Sequence, residues 1–456
     1  MDPVLIMVPA SSENFYEAGY LAANPDVAQA VAAGAVESGK QHFEKSGAQE
    51  GRMLWAIAQA PPAAGRRIHP LSAYPRTGIW HQLHHYFFDE PVLPKPFLEP
   101  NACGSDDIAI CARLLDAYSR AAAYELDNIP PENRPNDAVW QRLKIEAHGE
   151  GYRLLASNDA AGLADYLKNG LRTTLCFGLG PGPGMFQATS GMISGMDRRD
   201  PLLLLVDRLA AAGVAIGALA CENPEQGRYG ENIHVGVAEL ADAIQRKLRF
   251  PISRPKVMGL FGIAHDSGVI DLRVPDDAYC THRLRIICDD IATTQFMEIG
   301  GGFGGMALFA LRAGASRWPI VDLPIMNVVQ GYFLIKCLGG NAVRLFGEDN
   351  SAAAVEVLPY WEFFDRTRHY TVVFNRDSLP EIQRDRVEEY LAEIETRGAN
   401  LLSINQEAGA SAGRTGLAQL NLHQIIADRG KLECRSRHPY WIRRGWVEEW
   451  FTPYRR

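Results

Sequence analysis

The sequence predicts an α/β protein: a doubly wound, Rossmann-like sheet ending in a β-hairpin, preceded by a mostly helical N-terminal region. Three observations carry this. Short apolar runs alternate with helix-period runs from about residue 294 onward, the pattern of a parallel sheet with crossover helices. A cluster of glycines at 300–305 sits between a strand-like and a helix-like run, the context a nucleotide-binding turn requires. The last segment, "HPYWIRRGWVEEWF", reads as a hairpin with Arg443, Arg444 and Gly445 at or near its turn.

The elements follow in order. Thr294 to Ile299 forms a buried strand, and Glu298 stands two residues before Gly300. Gly300, Gly301, Gly302, Gly304 and Gly305 make the turn. Glycine is costly to order, so such a cluster implies a ligand lying close to bare backbone. Met306, Phe309, Ala310 and Ala313 fall on one helical face. "RWPIVDLP" is the second strand. Asp322 at its tip can accept both hydroxyls of a ribose, Leu323 adjoins it, and Pro324 suits the first turn of the next helix. "MNVVQGYFLIKCLGG" is that helix, closed by Gly339 and Gly340. "AVRLFGED" is read as the third strand, with Glu348 and Asp349 at its end. "RHYTVVFNRDSLPEI" is the fourth, with Asn375 and Asp377 just past its apolar core. In "RDRVEEYLAEIETRG", Val387, Tyr390, Leu391 and Ile394 fit a helical stripe, and "ANLLSINQEA" is a fifth strand.

Ahead of this lie three other regions, so the predicted organisation is 1–57, 58–104, 105–275 and 276–456. Residues 1–57 hold a small helical accessory module, in which Phe15, Tyr16, Tyr20 and Leu21 give a stripe and Asn24-Pro25-Asp26 starts a second helix. Residues 58–104 are proline-rich, a linker or wrapping segment. They include "WHQLHHYFF", where His81, His84 and His85 lack an acidic or cysteine partner at ligand spacing. Residues 105–275 read as a helical and mixed cap that contributes to substrate binding. A second glycine-rich run there, "CFGLGPGPGMF", carries Pro181 and Pro183, which remove backbone donors that an anion-binding loop needs.

Composition narrows the class. The chain has 456 residues, 47% apolar and 22% charged, which is ordinary for a globular protein. A net charge of −8 disfavours general nucleic-acid binding. Eight cysteines without a C-x-x-C pair predict thiols in a reducing compartment and no zinc ribbon. The start "MDPVLIMVPA" lacks the charge of a signal peptide, and Asp207 and Arg208 interrupt the apolar stretch 202–221, which reads as a core strand or helix pair. A cytoplasmic protein without a membrane span is expected.

Gly300, Gly302 and Gly305 also satisfy G-x-G-x-x-G, so NAD is one cofactor to weigh. Glu298 gives E-x-G-x-G-x-G instead, acids end successive strands, and a hairpin closes the sheet. In these features the chain resembles Class I S-adenosylmethionine-dependent methyltransferases. "EIGGGFGGMA", "VDLPIMNVVQGYFLIKCLG", "VVFNRDSLPEI" and "LLSINQEA", in that order, are similar to a family of bacterial sugar O-methyltransferases over about residues 280–450. Members often carry "N-x-x-S-x-x-E-M" where this chain has "NRDSLPEI", so Pro380 and Ile382 reshape that lip. The resemblance implies S-adenosyl-L-methionine as cofactor and a sugar or glycoside hydroxyl as acceptor, in glycan or glycoside synthesis. It places the cofactor on Glu298, Gly300, Gly301, Gly302, Gly304, Asp322, Leu323, Glu348, Asp349 and Asn375. His265, His282, His369 and His423 are candidate bases, the first two singled out by their neighbours, with Asn375 where the methyl is presented; no metal cluster is evident. Two other readings stay open: an NAD-dependent oxidoreductase, and a non-catalytic methyltransferase-like protein recruited to a partner through residues 15–52. A homo-oligomer is compatible with all of them.

Overall fold

The computed structural model describes residues 5–57, 96–97, 100–135, 140, 143–144, 147–176, 179, 199–221, 236–407 and 419–454. The histidines of "WHQLHHYFF", Gly178, Gly180 and Gly182, and most of the proline-rich segment lie outside them. The chain divides into two units, residues 1–81 and 82–456.

In the first unit, β1 (Leu5–Pro9) pairs antiparallel with β2 (Met53–Ile57), and α1 (Glu17–Ala23), α2 (Pro25–Ala32) and α3 (Gly39–His42) lie between them in the chain. Tyr20, Val27, Phe43 and Leu54 form its core. The buried Asn24 ties the helices to β2 by donating from Nδ2 to the Tyr20 and Met53 carbonyls, each at 2.8 Å. The helices match the sequence expectation. The β1–β2 pair was not foreseen, because two five-residue strands at opposite ends of the module give no alternating run long enough to read.

The second unit begins with β3 (Pro96–Phe97) and the long α4 (Ser105–Asn128), then α5 (Gly149–Ala156), α6 (Ala160–Leu167), α7 (Arg199–Ala215) and α8 (Val237–Leu248). The apolar stretch after 202 is therefore part of one helix, α7, whose Leu202 to Ala212 are almost wholly buried. Among the described residues no helix is long and apolar enough to cross a membrane. β4 (Gly262–His265) and β5 (Gly268–Asp271) join β3 in a small antiparallel sheet, and α9 (Val274–Ile287) follows.

The main sheet has eight strands. In chain order these are β6 (Phe296–Ile299), β7 (Trp318–Asp322), β8 (Val343–Leu345), β9 (Val355–Pro359), β10 (Val372–Arg376), β11 (Asn400–Gln406), β12 (Leu432–Pro439) and β13 (Trp446–Pro453). Across the sheet the order is β12-β13-β11-β10-β6-β7-β9-β8, parallel from β8 to β11, with β13 antiparallel to β11 and β12 to β13. The connecting helices are α10 (Gly305–Arg312), α11 (Pro324–Leu338), α12 (Arg384–Arg397) and α13 (Leu422–Arg429).

Both faces of the sheet are covered, so successive residues enter different cores. Phe296, Ile320, Phe374 and Leu402 join the core on one face, which continues through α4 and α7. Met297, Ile299, Val321, Val373 and Leu401 join the other, with Val387, Tyr390, Leu391 and Ile394 of α12. The third strand needs correcting. "AVRLFGED" supplies only the short edge strand β8, and the strand beside β7 is β9, "VEVLP", whose tip leads to Tyr360. All five residues of β9 are buried, so it lacks the alternation that marks a half-exposed strand.

Candidate active site

The glycine turn follows directly from packing. β6 ends at Ile299, and the next residue must reverse with φ +73°, which Gly300 alone of the common residues adopts without strain. A side chain there would also collide with Ser378 Oγ. Gly305 opens α10 against a buried guanidinium: a Cβ would lie 2.6 Å from Arg254 Nη2 and 2.8 Å from Asp277 Oδ2. Arg254 is fully buried and ion-paired with Asp271 and Asp277. It also lies over the rings of Phe303 and Phe309, at 4.9 and 5.4 Å. The β4–β5 region thus supports the turn from below.

A cavity of about 600 Å³ opens above the carboxyl ends of the parallel strands, where open α/β sheets place their ligands. The glycine turn, Asp322, Leu323, Tyr360, Arg376, Asp377 and Trp446 are among its lining residues. Asp322 accepts from the Leu323 backbone N–H at 2.8 Å and from Gln330 Nε2 at 2.7 Å. Gln330 is fully buried and also donates to the Gly302 carbonyl at 3.0 Å, so one amide locks the second strand tip to the glycine turn. Burial pushes the Asp322 carboxyl up to about 7 despite these bonds. Glu298 is 3% exposed and accepts from Trp318 Nε1 at 2.6 Å. Burial outweighs that bond and the attraction of Arg376, and raises this carboxyl to about 8.

Past β10 the lining becomes charged. Arg376 Nη2 donates to Asp277 Oδ1 at 2.7 Å. Asp377 adopts φ +72° and accepts from Arg273 Nη1 at 2.8 Å, Arg443 Nη1 at 2.6 Å and Trp446 Nε1 at 2.7 Å. Burial alone would raise its pKa, but Arg443 and Arg273 hold it well below the usual carboxylate range.

The residues singled out from the sequence separate into two groups. Glu298, Gly300, Gly301, Gly302, Asp322 and Leu323 meet at the cavity, and Gly304 caps α10 beside them at φ +93°. The others lie elsewhere. Glu348 pairs with Arg113 of α4 at 2.5 Å and accepts from the Leu345 N–H, and neither it nor Asp349 lines the cavity. Asn375 is fully buried inside the sheet: its Nδ2 donates to the Ile299 carbonyl at 3.0 Å, and its Oδ1 accepts from Asn405 at 2.9 Å. His265 lies on β4 between Asp242 and Asp266, at 3.1 and 3.3 Å. His282 lies on α9, where burial and then Arg283 lower its pKa. No histidine lines the cavity among the described residues.

Gln330, Arg254, Arg273 and Tyr360 were not foreseen. Gln330 had a signal, since a polar residue inside the apolar helix "MNVVQGYFLI" needs a buried partner. The others come from segments distant in sequence and had none.

Sheet order and site together define a Rossmann-like α/β fold with a cavity at the strand tips. No family model and no curated protein matches the chain. Among solved structures it is similar to the mitomycin 7-O-methyltransferase MmcR, with 15% identity over 76% of this chain and 96% of that one, at a TM-score of 0.30. It is also similar to the glycopeptide N-methyltransferase MtfA complexed with S-adenosyl-L-homocysteine (11% identity, 38% of this chain and 88% of that one, TM-score 0.30). A third is magnesium protoporphyrin IX methyltransferase from Synechocystis PCC 6803 with bound S-adenosylmethionine (10%, 40% and 83%, TM-score 0.28). Similarity this low transfers neither substrate nor cofactor, and the fold stands on the chain's own sheet order.

Proposed function

We propose that the protein is an S-adenosyl-L-methionine-dependent O-methyltransferase that acts on a hydroxyl of a sugar or glycoside. The observation that carries this is Asp322: a carboxylate at the second strand tip, tied by Gln330 to a glycine turn, on a cavity large enough for a nucleoside and a second small molecule. The donor set fits the cofactor. Asp322 would take the ribose hydroxyls, the turn from Gly300 to Gly302 the methionine portion, and Leu323 with Tyr360 the flat faces of the base. When bound, S-adenosylmethionine supplies an electrophilic methyl group on a sulfonium.

This chain's residues supply position and dryness. The strand tips align the two substrates for an in-line approach. Ile299, Phe303, Met306, Val321 and Met326 give part of the lining a buried apolar surface, which favours a transfer in which opposite charges meet. The sugar acceptor rests on the resemblance of the four ordered segments between 298 and 408.

Calorimetry with S-adenosylhomocysteine and with NAD tests the cofactor. Saturable binding of the first and none of the second is expected, and the reverse would make the protein a nicotinamide enzyme. Turnover on a panel of glycosides, read as a gain of one methyl group, tests the acceptor. Cofactor binding with no turnover on any of them would favour a binding role.

A further inference from the structure

The cavity has two unlike ends. Tyr360, Asp385, Arg386, Glu389 and Tyr390 mark one, beside the tip of β9; the Arg386 guanidinium lies 5.7 Å from the Tyr360 ring. Gln406, Arg443 and Trp446 mark the other, at the tips of β11 and β13. Asp322 belongs to β7, three strands from β11 in the sheet order. At about 4.8 Å per strand the β11 tip stands roughly 14 Å from it. A nucleoside fastened at Asp322 and lying over the glycine turn leaves this far end to the acceptor.

Around Asp377 that end is rich in guanidiniums, with Glu381 the neighbouring acid on the lining, reached from Gln406 through Gln419. One oxygen of Asp377 accepts from both Arg273 and Arg443, and the other is taken by Trp446. A single carboxylate therefore answers two guanidiniums. Arg376 shares Asp277 with Arg254, which is also paired with Asp271. These two clusters touch where the Arg273 backbone N–H donates to Asp271, and across them the guanidiniums of Arg254, Arg273, Arg376 and Arg443 outnumber the carboxylates of Asp271, Asp277 and Asp377. Behind it lie buried Arg208 and Asp276, of opposite charge. Among the described residues, Asp377 is the only ion-pair partner of Arg273 and of Arg443, and both line the cavity. Their remaining N–H donors suit a planar or tetrahedral anion, the geometry for which a guanidinium fork is made.

We infer that Arg273 and Arg443 bind an anionic group, carboxylate or phosphate, carried by the sugar acceptor. This rests on the methyltransferase reading above. The test is calorimetry on the full chain saturated with S-adenosylhomocysteine, using methyl β-glucoside, methyl β-glucuronide and glucose 6-phosphate as probes. At least one anionic probe should bind ten-fold or more tighter than the neutral glucoside, and the better of the two identifies the group. Arg273→Gln and Arg443→Gln should each abolish the preference, Arg273→Lys should keep most of it, and S-adenosylhomocysteine affinity should stay within two-fold in all three. Equal binding of neutral and anionic probes, no binding of any, or a preference that survives both glutamine variants would overturn the inference. Loss of S-adenosylhomocysteine binding in the unmodified protein would instead overturn the methyltransferase reading itself.

Discussion

Two carboxyl groups with raised pKa values govern how the site responds to pH. Asp322 titrates near 7 because it is buried, yet a ribose needs its ionised form as acceptor. Cofactor affinity should therefore be flat above pH 7 and fall by up to about ten-fold per unit below it, with proton release on binding in the acidic range. Isothermal titration in buffers of different ionisation enthalpy reads both. Asp322→Asn removes a charged acceptor and should weaken S-adenosylhomocysteine by about 1.5–3 kcal/mol, roughly 10- to 100-fold, and abolish the pH slope. Unchanged affinity would place the ribose elsewhere. Glu298 bears on stability. Its folded pKa of about 8 lies above the ordinary 4.5, so between these values the folded state holds a proton that the unfolded chain has lost. Stability accordingly falls as pH rises through this window and levels off above about 8. Glu298→Gln has no charge to bury. Its stability relative to the parent should rise from pH 5 to pH 9 by on the order of 4 kcal/mol in urea unfolding, while a constant difference would show that burial does not govern this carboxyl.

At the level of elements, the glycine turn is held by neighbours from both directions in the chain. Arg254, from the segment before β4, meets Gly305 and Asp277; Ser378, after β10, meets Gly300. Arg254→Met leaves Asp271 and Asp277 buried without their shared partner and should cost about 3–5 kcal/mol of unfolding free energy. Gly300→Ala combines positive φ with a clash against Ser378 and should lower both stability and cofactor affinity; a neutral effect would mean that the turn relaxes freely. Glu348 makes the opposite case. It bonds Arg113 and the end of β8 rather than facing the cavity. Glu348→Ala should reduce the melting temperature yet leave S-adenosylhomocysteine affinity within about two-fold, because the lost bonds hold α4 and not a ligand. A large affinity loss would return Glu348 to the binding site.

The whole chain comprises two units, each with its own core. Scanning calorimetry should resolve separate transitions, of which only that of residues 82–456 rises with S-adenosylhomocysteine, since a ligand stabilises the unit that binds it. A single transition shifting as one would show that the units unfold together. The main sheet was largely legible beforehand because its strands and helices differ in period, and because Gly300 to Gly305, Asp322 and Pro324 mark turns by local chemistry. β9 was not legible, being buried along its whole length, and the reading that took β8 for it carried Glu348 and Asp349 away from their true surroundings. Nor could sequence spacing reveal that His265 lies between Asp242 and Asp266, or that Asn375 is sealed within the sheet. By itself, then, the sequence determined the alternation of elements, the glycine turn and the acid that ends the second strand, all of which follow from backbone preference and burial within a few residues. Only the tertiary structure decided which strand flanks β7, which polar groups reach the cavity, and that Arg273, Arg376 and Arg443 meet there, because those contacts join segments between about 35 and 170 residues apart, and only the completed fold brings such segments together.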